Sequence, residues 1–190
     1  DSAAALEALT QALAPSDVAC VLVEPILSDG GLIVPPDGFL AEVASSCAAA
    51  DVLLIADEVK VGLGRTGQMH AYSHDQVTPD LVSFGKALGA GLPISALVGP
   101  AAVLDEPGAS ALLTTAGNPY CSAVARAVLA TIEAEGLVDR AAAMGGRLMG
   151  GLRDVLDVEV RGRGLMIGVD LGDPRLAAKA VYRAWELGTV

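Results

Sequence analysis

The chain has 190 residues, 53% of them apolar and only 3% aromatic, with a net charge of −11. That is enough apolar material for a core in one domain and part of a second, and so acidic a surface repels phosphate backbones, which excludes nucleic acid as an expected partner. Three scattered cysteines, Cys20, Cys47 and Cys121, with no C-x-x-C, offer neither a disulfide framework nor a structural metal site; they fit a reducing cytoplasm and read as small core residues.

Taken in chain order, helices and strands alternate. Leu6, Leu9 and Leu13 recur at helical spacing and predict a helix over 2–14. Residues 19–24 contain the run CVLV, uniformly apolar, which predicts a strand buried on both faces. A loop rich in Gly and Pro, 25–37, leads to a helix over 38–50, a strand over 52–56, an irregular segment over 59–79, and strands over 81–84 and 95–98. Apolar strands alternating with helices argue for a parallel sheet covered on both faces. Residues 87–104 carry no charge, but Gly89, Gly91, Pro93, Gly99 and Pro100 break a helix, so this stretch predicts loop, strand and turn and no membrane span. Beyond Thr115 the character changes. A long helix over 119–136, a second over 139–155, two short strands within 158–170 around a glycine turn, and a helix over 174–187 predict the start of a smaller α+β domain. The chain opens inside a helical pattern without Met and ends where a strand should follow Gly188, so it reads as an internal fragment.

Residues 62–67, GLGRTG, match the dinucleotide-binding pattern G-x-G-x-x-G. That pattern works when a strand runs straight into the glycine turn and the turn opens a helix facing the pyrophosphate. Here DEVKV intervenes after the strand, and QMHAYSHD is a poor helix start. Asp80, at nearly the right distance for a ribose-binding acid, precedes its strand instead of ending one. The context rejects a nicotinamide or flavin site.

Two other residues carry the chemistry. Asp57 ends a strand, where ligands gather in open α/β sheets. Lys86, one of three lysines, lies among small and apolar residues at another strand end, which predicts a buried amine with a lowered pKa, usable as a nucleophile. A buried carboxylate and a buried lysine at neighbouring strand ends suit pyridoxal phosphate, which needs a Schiff-base lysine and an acid on its pyridinium nitrogen.

The segments EPILSDGG (24–31), DEVKVGLGRTG (57–67), PDLVSFGKALGAGLP (79–93) and TTAGNP (114–119) follow in that order. Together they resemble the class III pyridoxal-phosphate aminotransferases, the group of ornithine and 4-aminobutyrate aminotransferases, and RGRGL (161–165) is similar to the strand that opens their small domain. The resemblance implies a fold-type I α/β architecture: the C-terminal part of a three-layer αβα large domain over 1–130, then the beginning of a small α+β domain over 131–190. It implies a transaminase that moves an amino group from an amine or amino acid to a keto acid through a lysine aldimine. Lys86 would form the Schiff base and shuttle the proton, Asp57 would pair with the pyridinium nitrogen, and Val59 would pack on one face of the ring. Glu24 would lie near the polar network on its hydroxyl side. Thr114 would bind the cofactor phosphate of the neighbouring subunit, so the site would need a homodimer. Arg65 would tie loops together.

Two positions depart from the family pattern. Lys60 stands where a Gln usually meets the ring hydroxyl, and Asp29 where many members have Glu or a small residue. The stretch 24–31 is similar to dialkylglycine decarboxylase, which keeps a decarboxylating transaminase open, as the shared residues do a racemase or aminomutase. The family's phosphate loop, its stacking aromatic ring and its carboxylate-binding arginine have no counterpart here, so an inert fragment is the remaining alternative.

Overall fold

The computed structural model describes residues 2–15, 17–105 and 114–189. Helix α1 (Ser2–Leu13) leads to strand β1 (Cys20–Val23), helix α2 (Phe39–Ala49) and strand β2 (Leu53–Asp57). Strand β3 (Leu81–Phe84), strand β4 (Ala96–Val98) and the single turn α3 (Ala101–Leu104) follow, with 3-10 turns at Ala71–Asp75 and Lys86–Gly89. Then come α4 (Pro119–Ala134), α5 (Leu137–Val155), the strands β5 (Glu159–Arg163) and β6 (Met166–Asp170), and α6 (Pro174–Glu186).

The four-stranded sheet has the order β1-β2-β3-β4. The first three strands are parallel, with Val23 beside Ala56 and Asp57 beside Ser83. β4 departs from the all-parallel expectation and runs antiparallel to β3, pairing Phe84 with Ala96. Segment 85–95 is shorter than the dozen or so residues that a parallel crossover requires, so the chain turns back on itself.

One core lies where α1 and α2 cover the sheet: Leu40, Val43, Cys47 and Leu54 are buried, with Leu6, Leu9, Val21 and Val23 packed against them. The expected burial of β1 on both faces is not met. Its residues alternate between exposed and half-buried, and Leu22 is 63% exposed. The helices cover the Val21 and Val23 face, and no described element covers the other. Cys20 is likewise exposed, against the reading of the cysteines as core residues, whereas Cys47 is buried.

The later helices carry their own start signals. Asn118 accepts from the amides of Tyr120 and Cys121, with Pro119 at the first helical position of α4. Asp173 and Pro174 do the same for α6. α5 packs on the β5–β6 ribbon, and Arg153 Nη2 donates to the Val160 carbonyl at 2.8 Å. Among the described residues no helix is long and apolar enough to cross a membrane.

Candidate active site

The carboxyl ends of β2 and β3 point the same way because the strands are parallel. Asp57 is the last residue of β2, and its register partner Ser83 lies three residues before Lys86. Ser83 Oγ donates to Asp57 Oδ1 at 3.2 Å, and the Val59 amide donates to the same oxygen at 3.0 Å. Oδ1 is thereby fixed, and Oδ2 has no hydrogen-bond partner among the described residues. Sequence patterning missed Ser83, because its part in the site depends on strand register.

Lys86 follows Gly85, a buried residue in extended backbone. A Cβ on Gly85 would come within 3.2 Å of Val59 Cγ1, so the chain passes close behind Val59 as it delivers the lysine. Lys86 itself has φ +39°, in the left-handed region that a residue with a Cβ enters at a cost of about 1 kcal/mol or more. Strain of this kind persists only where the surroundings impose it. Nothing in the sequence signals it.

The expectation of a buried pair needs correction. Asp57 is half-buried and Lys86 is exposed. Of the small and apolar neighbours of Lys86 in sequence, Gly85, Leu88 and Gly89 are buried, while Lys86 and Ala87 are exposed on the outer side of the 3-10 turn. It lines an open cleft of about 830 Å³ with Val59, Lys60, Arg65, Arg140 and Met144.

Of the other candidates, Val59 and Lys60 line that cleft, and Asp57, Glu24 and Thr114 lie outside its lining. Lys60 makes an ion pair with Asp29, the two residues noted as departures. The ammonium of Lys60 holds the Asp29 carboxyl below its usual range, and Lys86 acts in the same direction, which places Asp29 within electrostatic reach of both lysines. Glu24 lies further back: its Oε2 accepts from Ser28 N at 2.9 Å and Ser28 Oγ at 2.7 Å, shaping the loop that carries Asp29. Thr114 sits exposed in a turn.

Glu58, next to Asp57, takes a different role. It is 1% exposed and accepts from the amides of Ala71 and Tyr72, each at 2.9 Å. Burial raises its pKa, against the lowering effect of those two bonds. Asp80 is also structural: its carboxylate accepts from Leu54 N at 2.8 Å and its own amide donates to Leu54 O at 2.9 Å. GLGRTG forms a tight turn in which Arg65 N donates to Gly62 O and Gly67 N to Gly64 O. Arg65 does join two loops, but through its carbonyl, which accepts from Leu165 N at 3.0 Å, and its side chain is exposed on the cleft.

The family model for class-III aminotransferases matches residues 2–190. The chain belongs to that family. It is 44% identical over 174 residues to an acetylornithine aminotransferase of Mycobacterium leprae, covering 89% of this chain and 42% of that protein. It is 39% identical over 187 residues to an alanine/serine racemase of Pyrococcus horikoshii, covering 93% of this chain and 40% of that protein. Among solved structures it resembles the ornithine aminotransferase of Toxoplasma gondii, described with partial occupancy of PLP at its active site. The TM-score is 0.83 at 42% identity, over 87% of this chain and 41% of that one. The fold is therefore the fold-type I α/β architecture of these enzymes, and the chain spans about two fifths of the length of these relatives.

Proposed function

We propose that the chain carries the lysine and acid side of the active site of a pyridoxal-phosphate-dependent aminotransferase. The carrying observation is the placement of Asp57 and Lys86 at the carboxyl ends of adjacent parallel strands, with Asp57 Oδ1 held by Ser83 and the Val59 amide. The residues fit the cofactor. One carboxylate oxygen is fixed by protein donors while the other is left to face a pyridinium nitrogen. Val59 donates its amide to Asp57, stands close to Gly85 just before Lys86, and forms part of the wall of the cleft that the lysine also lines.

When bound, pyridoxal phosphate supplies a carbonyl that condenses with amines and a ring that takes up the electron pair released at Cα. The chain's residues do the rest. Lys86 Nζ holds the cofactor at rest and then carries a proton between substrate Cα and the cofactor, a general acid–base contribution of about 10²–10⁴-fold. Asp57 stabilises the protonated ring nitrogen. Val59 packs on the ring face, with Lys60 and Glu24 on its polar side. Thr114, exposed in its turn, meets the phosphate of a second subunit in a homodimer. We place the division between large and small domains near residue 130, in keeping with the separate β5–β6 sheet, and the whole protein in the cytoplasm.

The substrates are an amino donor and a keto acid. Ornithine and N-acetylornithine are the first donors to test, because the similar proteins are named for them. The racemase similarity favours one second reading, stereochemical inversion of alanine or serine at the same lysine. Incubating the whole protein with L-ornithine or L-alanine, with and without a 2-oxo acid, separates the two: transamination consumes the acceptor, whereas racemisation yields D-alanine without it. Lys86→Ala is expected to lose the visible absorbance of lysine-bound cofactor and at least about 10³-fold in turnover. Retention of both would defeat the assignment.

A further inference from the structure

The loop that carries Asp29 is held in shape from a distance. Its base is closed by a two-residue bridge, Leu27 N to Ile33 O at 3.0 Å and Ile33 N to Leu27 O at 2.8 Å. Between them Gly31 has φ +102° and Leu32 has φ +53°. Gly31 takes that conformation freely, but Leu32 pays a steric cost, so something must over-determine it. Two successive left-handed residues turn two successive carbonyls outward, and both meet one guanidinium. Arg161 of β5 donates through Nε to Leu32 O at 2.9 Å and through Nη2 to Gly31 O at 2.6 Å. Its Nη1 is anchored on Asp170 of β6 at 2.9 Å and on Glu159 at 3.2 Å. Nearby, Arg163 pairs with Asp37 at the far end of the same loop, at 2.6 Å.

We propose that Arg161 is a positioning residue that locks the Ser28–Ile33 loop onto the β5–β6 ribbon and so sets Asp29 against Lys60 on the rim of the Lys86 cleft. The planar fork matters. A guanidinium reaches both carbonyls and both acids at once, whereas an ammonium offers one compact set of donors and cannot span them. The ribbon thereby helps to shape the cleft although it contributes neither Asp29 nor Lys60. The consequence for substrate rests on the aminotransferase reading above; the tether itself does not.

The test compares wild type, Arg161→Lys, Asp29→Asn and the double variant of the whole protein. Amide exchange over residues 28–33 should be roughly tenfold faster in Arg161→Lys, with residues 53–57 unchanged, as expected for loss of one or two charge-assisted bonds. Acetylation of Lys60 by an amine-reactive reagent, followed by mass spectrometry, should rise to the same level in Arg161→Lys, Asp29→Asn and the double variant. Where L-ornithine is turned over, Arg161→Lys should shift its KM as Asp29→Asn does and leave kcat nearly unchanged, with no further shift in the double variant. Unchanged exchange over 28–33, or Lys60 labelling and KM effects that multiply in the double variant, would overturn the proposal. If no form turns over any amino donor, the aminotransferase reading fails, and exchange and labelling still decide the tether.

Discussion

The segment after Asp57 separates two regions of opposite character. On its inner side the structure is closed: Glu58, Val61 and Thr66 are at most 1% exposed, and both Glu58 oxygens accept backbone amides. On its outer side lies the open rim, where Lys86 and Asp29 are exposed and Lys60 is half-exposed. Alternate residues of one stretch serve both. Val59 and Lys60 line the cleft, while Glu58 holds the 71–75 turn and Val61 packs with Ile26 and Ala71 in a buried cluster. Buried anchoring residues and cleft-lining residues thus stand side by side in one short stretch, so substitutions on the two sides should fail in different ways.

The largest effect is expected at the closed joint. A Cβ on Gly145 of α5 would lie 1.9 Å from the carbonyl oxygen of Gly164, and one on Gly164, which has φ +54°, would lie 2.4 Å from the Thr66 backbone. These are contacts with backbone, which cannot swing aside. Gly145→Ala gains about 1 kcal/mol of helix propensity but forces the β5–β6 turn away from α5, an overpacking cost of about 3 kcal/mol or more. A net loss of about 2 kcal/mol is expected in chemical denaturation. Gly146→Ala, one residue along the same helix with open space around its Cα, should instead gain up to about 1 kcal/mol. Equal effects at the two positions would mean that the joint is not packed as described.

Glu58 comes next. Glu58→Gln keeps the shape but sets an amide NH₂ against a backbone N–H, which costs about 1–3 kcal/mol. Its pH dependence has a definite sign. Burial raises the folded-state pKa above the unfolded value, so the native state holds the proton more tightly. The stabilisation from that proton is complete below the unfolded pKa. It is lost as pH rises from the ordinary carboxylate range through the raised folded value. The stability gap between wild type and Glu58→Gln should therefore be widest in acid and narrow across that window. A gap that widens with pH would show that the two amide bonds outweigh burial.

The same division explains what the sequence reveals. Patterns that repeat locally are legible: 81–84 matches β3, and the Asn118-Pro119 and Asp173-Pro174 starts of α4 and α6 are written in adjacent residues. The order of motifs also identifies the family. Strand direction is not local, and nothing within 95–98 marks β4 as antiparallel. The apolar surroundings of Lys86 in sequence predict burial, but the 3-10 turn buries Leu88 and Gly89 and leaves the lysine exposed. The partners of Glu58 lie 13 and 14 residues further on, Lys60 and Asp29 are 31 apart, and Arg161 is 130 residues from Gly31. No short-range pattern records such pairings. They arise because the sheet, the 25–37 loop and the β5–β6 ribbon converge at one edge.

The smallest expected effect on stability lies on the open rim. The Lys60–Asp29 pair is exposed, with Asp29 at 85% side-chain accessibility, so screening leaves little net attraction. Lys60→Gln should change the unfolding free energy by no more than about 0.5 kcal/mol. Its effect should appear at the site instead. Removing the Lys60 cation leaves Asp29 as an unpaired carboxylate, a charge change of −1 on the rim of the cleft that Lys86 lines. The KM for a carboxylate-bearing acceptor should rise at low ionic strength, and the difference from wild type should shrink as salt is added. A loss of stability larger than about 1 kcal/mol, without that salt-dependent change in KM, would place Lys60 with the anchoring residues of the closed side instead of on the rim.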